Sequence, residues 1–231
     1  AAVFARERDK FMRPAAIFYN TFIRPTRVYS DQLVERTYSS LNRLGSVSQT
    51  AINLTPVVVN DSNYINANIS IYPGNMHFMQ FGIDGTHAAG DLGIATDATY
   101  EHKNILKGGE TFRIKLNGAY EFITASDSAS LIDKSYYEYG AEAFLSIPQL
   151  LLPWVMKQLR DQPSASTEFS VGVNFQNRSE YLRQFFNLSS RLQWARRNWQ
   201  VTNVVEPLDI TYVRMPRMSE KFKNAYMNDS I

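Results

Sequence analysis

Cysteine is absent from all 231 residues, and histidine occurs only three times. Without thiols the chain can hold no disulfide framework, no thiolate metal site and no cysteine nucleophile. A dominant charge is missing too: 24 basic against 22 acidic residues leave a net +2, which argues against a nucleic-acid binder. Glycine and proline, at 11 and 9 residues, are too few for a collagen-like chain. Hydrophobic residues, at 44%, are too many for a disordered one. Apolar helices long enough to cross a membrane are also lacking. Mean hydropathy is −0.30, and the uncharged stretch Ala143 to Met156 runs 14 residues with Pro148 and Pro153 inside it. A spanning helix needs roughly 20 apolar residues. A transmembrane β-barrel stays open, because its strands alternate and escape hydropathy averages.

Catalytic patterns are equally scarce. His77, His87 and His102 are spaced by 10 and 15 residues, with no H-x-x-x-H or H-E-x-x-H, so a zinc site is not expected. His102 adjoins Glu101, but neighbours on a strand face opposite ways and form no dyad; a turn-side role organising the hairpin is its expected one. Gly90-Asp91-Leu92-Gly93 lacks the dinucleotide fingerprint, and Gly108-Gly109 lacks the Lys-Ser/Thr of a phosphate loop. Glu138 and Glu142 lie roughly 13 Å apart if both are on one strand face, too far for an acid–base pair. The chain reads as a non-enzyme without cofactor or metal. Its first ten residues, AAVFARERDK, carry three basic side chains and no apolar run behind them. They are not a signal peptide, so either the signal has been removed or the chain is part of something longer.

What is present changes character near residue 74. Before it, Ser30 and Asp31 open a helical pattern with Leu33, Val34, Tyr38, Leu41 and Leu44 at helical spacing, and Gly45 stands where a C′ glycine ends a helix. An extended piece, Ala16 to Phe22, precedes it. Two strand candidates follow, Ala51 to Val59 and Tyr64 to Tyr72, around the turn cluster Asn60-Asp61-Ser62-Asn63. A helix on a small sheet is the expectation for residues 1–74.

From Met76 onward the period is two. In Thr111 to Ile123, Phe112, Ile114, Leu116, Tyr120 and Phe122 share one face, while Arg113, Lys115, Asn117 and Glu121 share the other. Phe169, Val171, Val173 and Phe175 alternate with Ser170, Gly172, Asn174 and Gln176. Leu182, Phe186, Leu188, Leu192 and Trp194 alternate with Arg183, Asn187, Ser189 and Arg191, and Leu208, Ile210 and Tyr212 with Asp209 and Thr211. Phe78 to Asp84, Leu92 to Glu101 and Tyr136 to Ile147 alternate less sharply. Seven strands of about 9–14 residues result, against roughly 5–6 in soluble sheets and 9–11 for a tilted membrane strand. Aromatics near strand ends (Tyr100, Tyr120, Phe122, Tyr137, Tyr139, Trp194, Trp199) suit an interfacial girdle. The fold class expected is mostly β: part of an antiparallel transmembrane barrel over residues 75–231, preceded by a small α/β domain.

Connections at the end nearer that domain are Asn104 to Gly109, Pro148 to Pro163 and Arg196 to Gln200. At the far end they are His87 to Gly90, Thr124 to Lys134 and Asn177 to Glu180. The amphipathic connection PQLLLPWVMKQLRDQP has two readings, a segment resting on the membrane interface and a helix capping the barrel mouth.

Residues 90–122, GDLGIATDATYEHKNILKGGETFRIKLNGAYEF, resemble the early barrel strands of the Omp85 superfamily, the bacterial barrel-assembly insertases and their relatives. The pattern is carried by Gly90, Leu92, Gly93, Tyr100, His102, Asn104, Gly108, Gly109 and Glu110. IRPTRVYSDQLVERTYSSLNRLGSVSQTAIN is similar to a POTRA module, and EAFLSIPQLLLP resembles the fourth strand and turn of Bacteroidetes-type members. The resemblance spans about residues 15–215.

The resemblance implies a barrel of roughly sixteen strands with periplasmic POTRA modules in the outer membrane of a Gram-negative bacterium. Only about one module and seven strands are here, and the Arg-Gly-Phe/Tyr loop typical of the family would lie in the missing half. It also implies a lateral gate at the first strand, about Met76 to Thr86, where Phe78, Gln80, Phe81, Gly82, Ile83 and Gly85 would meet client strands. Gly82 and Gly85 are expected to pack little and so weaken pairing; relief of a sharp barrel bend is the plainer role for them. Partners implied are unfolded outer-membrane proteins, accessory periplasmic or lipoprotein subunits, and outer-membrane lipids. Alternatives are a TamA-like or two-partner-secretion channel, a passive porin-like barrel, and a soluble β-sandwich binding module.

Overall fold

The computed structural model describes residues 11–25, 27–59, 61–88, 91–122, 136–151, 165–178, 180–196, 201–220 and 223. Helix α1 (Pro14–Asn20) opens with proline in its first turn, where a missing N–H costs nothing. It replaces the extended piece expected from Ala16 to Phe22, because Asn20 holds it on the second helix: its amide donates to the Ala16 carbonyl (2.8 Å) and its oxygen accepts from Ser40 Oγ (2.8 Å). Helix α2 (Asp31–Asn42) is the helix legible in the sequence. Its Ser30 cap makes no side-chain bond. The inward face is built from Thr37, Ser40 and Leu41, with Leu44 just beyond, while Tyr38 points outward. Thr37 is buried because its hydroxyl accepts from the Phe22 N–H (2.9 Å) and donates to the Leu33 carbonyl (2.8 Å). Gly45 does not adopt the left-handed conformation expected of a C′ glycine.

Strands β1 (Val47–Val59) and β2 (Ser62–Pro73) pair antiparallel, in register from Gln49–Tyr72 to Val59–Ser62. The turn is tighter than the four-residue cluster suggested, with Asp61 at φ 57°. The helices cover only the base of this hairpin. Met12, Ala16, Leu41, Leu44 and Val47 form the core there, with Phe11, Ile17, Ile69 and Ile71 against it. Among the described residues this layer falls short of a recognisable POTRA domain; it is two helices on a two-stranded hairpin.

The change of pattern at residue 74 falls in the link to a seven-stranded antiparallel sheet in simple sequence order. Its strands are β3 (His77–Ala88), β4 (Asp91–Lys103), β5 (Thr111–Phe122), β6 (Tyr136–Ile147), β7 (Ser166–Asn177), β8 (Tyr181–Arg196) and β9 (Val201–Met218). All seven alternating segments are strands. The last is longer than Leu208 to Tyr212 because register shifts accommodate Pro207 and Pro216, which lie where the β8–β9 ladder skips residues. The sheet is open: within the described residues β3 and β9 each pair on one side, and no closed barrel forms.

Register carries the alternation across the whole sheet. One row runs Gln80, Thr99, Lys115, Glu142, Gly172, Asn187, Thr211, and the rows on either side of it are mostly polar or glycine, with Phe78 and Phe144 in one and Phe185 and Val213 in the other. On the opposite face Phe81, Ala98, Leu116, Ala141, Val173 and Phe186 form one row, beside Ile83, Ile94, Ile114, Val171, Leu188 and Ile210. Among the described residues only Leu150, at the rim of β7 and β8, covers part of that face. Six strand spacings of about 4.8 Å and roughly 30 Å of strand make it on the order of 900 Å². The largest apolar patch of an ordinary soluble monomer is about 300–600 Å².

Candidate functional site at the first strand edge and the β4–β5 turn

The residues singled out in the sequence separate into two places. Six lie on β3, the edge strand of the sheet. Phe78, Gln80 and Gly82 point to the polar face; Phe81, Ile83 and Gly85 point to the apolar one. Phe81 and Ile83 are 77% and 80% exposed, more than most other apolar residues of the sheet. What these six share is therefore the backbone edge, not a common pocket. Phe78 and Gln80 line a shallow polar hollow with Asp84, Asp97, Thr99 and Lys115.

The two glycines differ. A Cβ on Gly82 would meet the Asp97 carboxylate at 2.1 Å, so this glycine is the slot in which the Asp97 side chain lies. That corrects the expectation that it packs little. A Cβ on Gly85 would meet nothing within 4 Å, so the apolar side of β3 has open space there.

The motif residues form a joint between the small layer and the sheet. Asn104, with φ 85°, ends β4. Its oxygen accepts from the Gly109 N–H (2.9 Å), and its amide donates to the Phe11 carbonyl (2.6 Å). Glu110 accepts from the Gly108 N–H (2.8 Å) and pairs with Arg13 at 2.9 Å. The Arg13 N–H donates to the Lys107 carbonyl (2.7 Å). Asn104 and Glu110 are each 6% exposed. Gly109 has φ +85°, and any Cβ there would press on Leu44 at 2.9 Å. Glycine is thus required twice over, by backbone and by the core of the small layer. Arg13 and Phe11 were not singled out in the sequence. Nothing local marks residues that pair across 97 positions.

Tyr100 and His102 face the apolar side at the same end. The Tyr100 hydroxyl bonds His77 Nδ1 (2.9 Å), and the His77 and His102 rings meet edge to face at 4.7 Å. His102 therefore braces the β3–β4 pair instead of organising the turn. Glu101 faces the other way, to Arg113 at 2.9 Å, so no Glu–His dyad exists. Gly93 makes room for Thr86 and Glu121 on the polar face; Gly90 lies outside the described residues.

A second polar cluster was not foreseen. At the far end of β6–β8, Glu138 accepts from Tyr136, from Asn174 (2.8 Å) and from Gln176 (3.2 Å), and Gln176 is bonded in turn by Tyr181. Arg178 lies over the Tyr136 ring. Glu138 and Glu142 are separate on their strand, and among the described residues no group of three metal-ligating side chains occurs. The chain matches no known protein family and no curated protein.

Proposed function

We propose that this chain is the first part of an outer-membrane β-barrel of the Omp85 type, a non-enzymatic assembly factor that inserts other barrel proteins through an edge at β3. In this reading the small layer is its POTRA-like periplasmic module, and residues 77–218 are the leading strands of the barrel. The observation that supports it most directly is the combination of one sheet face dominated by exposed apolar side chains with an edge strand that, among the described residues, pairs on one side only. In hydrocarbon every backbone polar group needs a partner, so the β3 edge must be met by another strand. That strand is either the barrel's own last one or a client's. A client strand would add by backbone hydrogen bonds, which need no catalytic group, cofactor or nucleotide.

A specific observation favours a second reading. The charged inner face, with Asp84, Lys115, Glu138, Glu142 and Arg183 along it, would also suit a water-filled channel. Cysteine capture separates the two, and the chain has no cysteine of its own to interfere. With Ile83→Cys in the full-length protein in native membranes, an insertase forms disulfides with a cysteine-bearing terminal strand of a folding barrel client. Scrambling that strand abolishes them. Absent capture together with robust ion conductance would establish the passive channel instead, and purification without detergent would exclude both.

A further inference from the structure

We infer that residues 149–151, the described start of the chain leaving β6, turn onto the outer, apolar side of β7 and β8, where with Leu192 and Trp194 they form an anchor whose partner is phospholipid at headgroup level. The leaflet is the one on the side of the small layer. The inference rests on the membrane reading of the sheet and adds to it which way this connection turns.

The direction follows from which side chains it touches. Leu150 packs on Ala165, Leu192 and Trp194. Leu192 pairs with Thr167, and both stand on the face that carries Phe169, Val171 and Leu188. One residue away on each strand, Glu168 and Arg191 take the polar face, where Arg191 meets Glu206 at 2.7 Å. The connection therefore starts and ends on the apolar side. Residues 152–164 lie outside the described residues, and the inference uses only what flanks them.

The chemistry suits a dry boundary. Thr167 is 1% exposed, and its hydroxyl holds the outgoing segment at two points. It accepts from the Leu151 N–H at 2.9 Å and donates to the Gln149 carbonyl at 2.8 Å. The Gln149 N–H bonds the Ile147 carbonyl at 2.7 Å. Three backbone groups of the turn, the Gln149 N–H and C=O and the Leu151 N–H, thus have partners without water, as lipid contact favours. Leu151 remains exposed beside it, and Trp194 adds the amphipathic ring that favours a membrane interface. The rim lies at the same end of the sheet as the β4–β5 joint, because Thr111 pairs with Ser146 and Ser166 with Gln193.

Depth-resolved fluorescence quenching tests this. Full-length protein in which Trp194 is the single tryptophan (Trp154→Phe, Trp199→Phe, and any others likewise) is reconstituted into phosphatidylcholine vesicles. The lipids are brominated either near the glycerol end or near the methyl end of the acyl chain. Trp194 is expected to be quenched about twofold more strongly by the shallow bromines, the signature of an interfacial ring. A companion protein with Leu116→Trp as its single tryptophan, in the middle row of the same face, is expected to show the reverse order. Quenching of the companion with none at Trp194, whether Trp194 reaches water or is shielded by protein, overturns the anchor and leaves the membrane reading intact. Quenching at neither position overturns the membrane reading itself. If the tryptophan replacements do not fold, Leu151→Cys carrying an environment-sensitive dye gives the same comparison. Blue-shifted emission quenched by headgroup nitroxides supports the anchor, and water-like emission overturns it.

Discussion

The β3 edge of the large sheet and its β6–β8 part are held together differently. Between β6, β7 and β8 the backbone ladder is reinforced on both faces. Glu138 gathers Tyr136, Asn174 and Gln176. Ser170 bonds Ser189 at 2.6 Å, and Thr167 ties the fold-back to the apolar side. Between β3 and β4 the links sit at the root, in the His77–Tyr100–His102 cluster, and in mid-strand, where Asp97 lies over Gly82. Beyond that, β3 carries Ile83 almost fully exposed and Gly85 in open space. The contrast teaches that the length of a ladder alone does not set its strength. Cross-strand side-chain pairs each add roughly 0.2–1 kcal/mol, and they are denser from β6 to β9, where Asn187 meets Asp209 and Thr211 and Arg191 meets Glu206, than at the β3 edge.

The contrast can be broken from either side. The largest effect is expected from a charge on the apolar face: if it meets lipid as proposed, Ile83→Arg and Val171→Arg should each cost about 2–4 kcal/mol of folding stability in a bilayer, while Asn117→Arg on the polar face should cost far less. Reversible unfolding in lipid vesicles by denaturant titration measures this, and equal costs on the two faces would place neither in hydrocarbon.

Next comes Glu138→Ala, which removes one acceptor from three donors at once. A loss of about 1–3 kcal/mol is expected, because buried donors lose their partner. The loss should appear as faster amide exchange in β6 and β7 with β3 unchanged. Asn104→Ala should cost about as much, since it frees the Phe11 carbonyl and the Gly109 N–H and leaves a non-glycine residue at positive φ. Its signature would be release of the small layer, read as protease cleavage between residues 11 and 24 while the sheet stays protected.

The smallest effect sharpens the comparison most. Gly85→Ala fills open space on a strand and should stabilise β3 by about 0.5–1 kcal/mol. In the cysteine assay it should therefore reduce client capture. Gly82→Ala should give no such gain, because the new methyl displaces the Asp97 carboxylate. Identical behaviour of the two alanines would show that the slot at Gly82 plays no part.

The strands were legible because alternation is a property of each segment alone: Phe112 to Phe122 and Phe169 to Phe175 read the same in the sequence and in the sheet. What the sequence hid depended on distant residues. Helix α1 is seven residues of middling propensity, and it is fixed by Asn20 meeting Ser40. Val201 to Pro207 broke the alternation, yet continues β9 through a shift of register. Asn104, Gly109 and Glu110 could be read as a turn, but not as a joint. Arg13, Phe11 and Leu44, which complete it, are far away in the chain.

In the proposed reading β3 is the weakly held edge of a sheet whose apolar face meets lipid. Hydrogen–deuterium exchange on the full-length protein in native membrane vesicles, compared strand by strand, tests it most directly. The account predicts that amides of residues 80–87 exchange at least tenfold faster than those of residues 168–175, about 1.4 kcal/mol of difference in local opening. Equal protection of the two strands would contradict it.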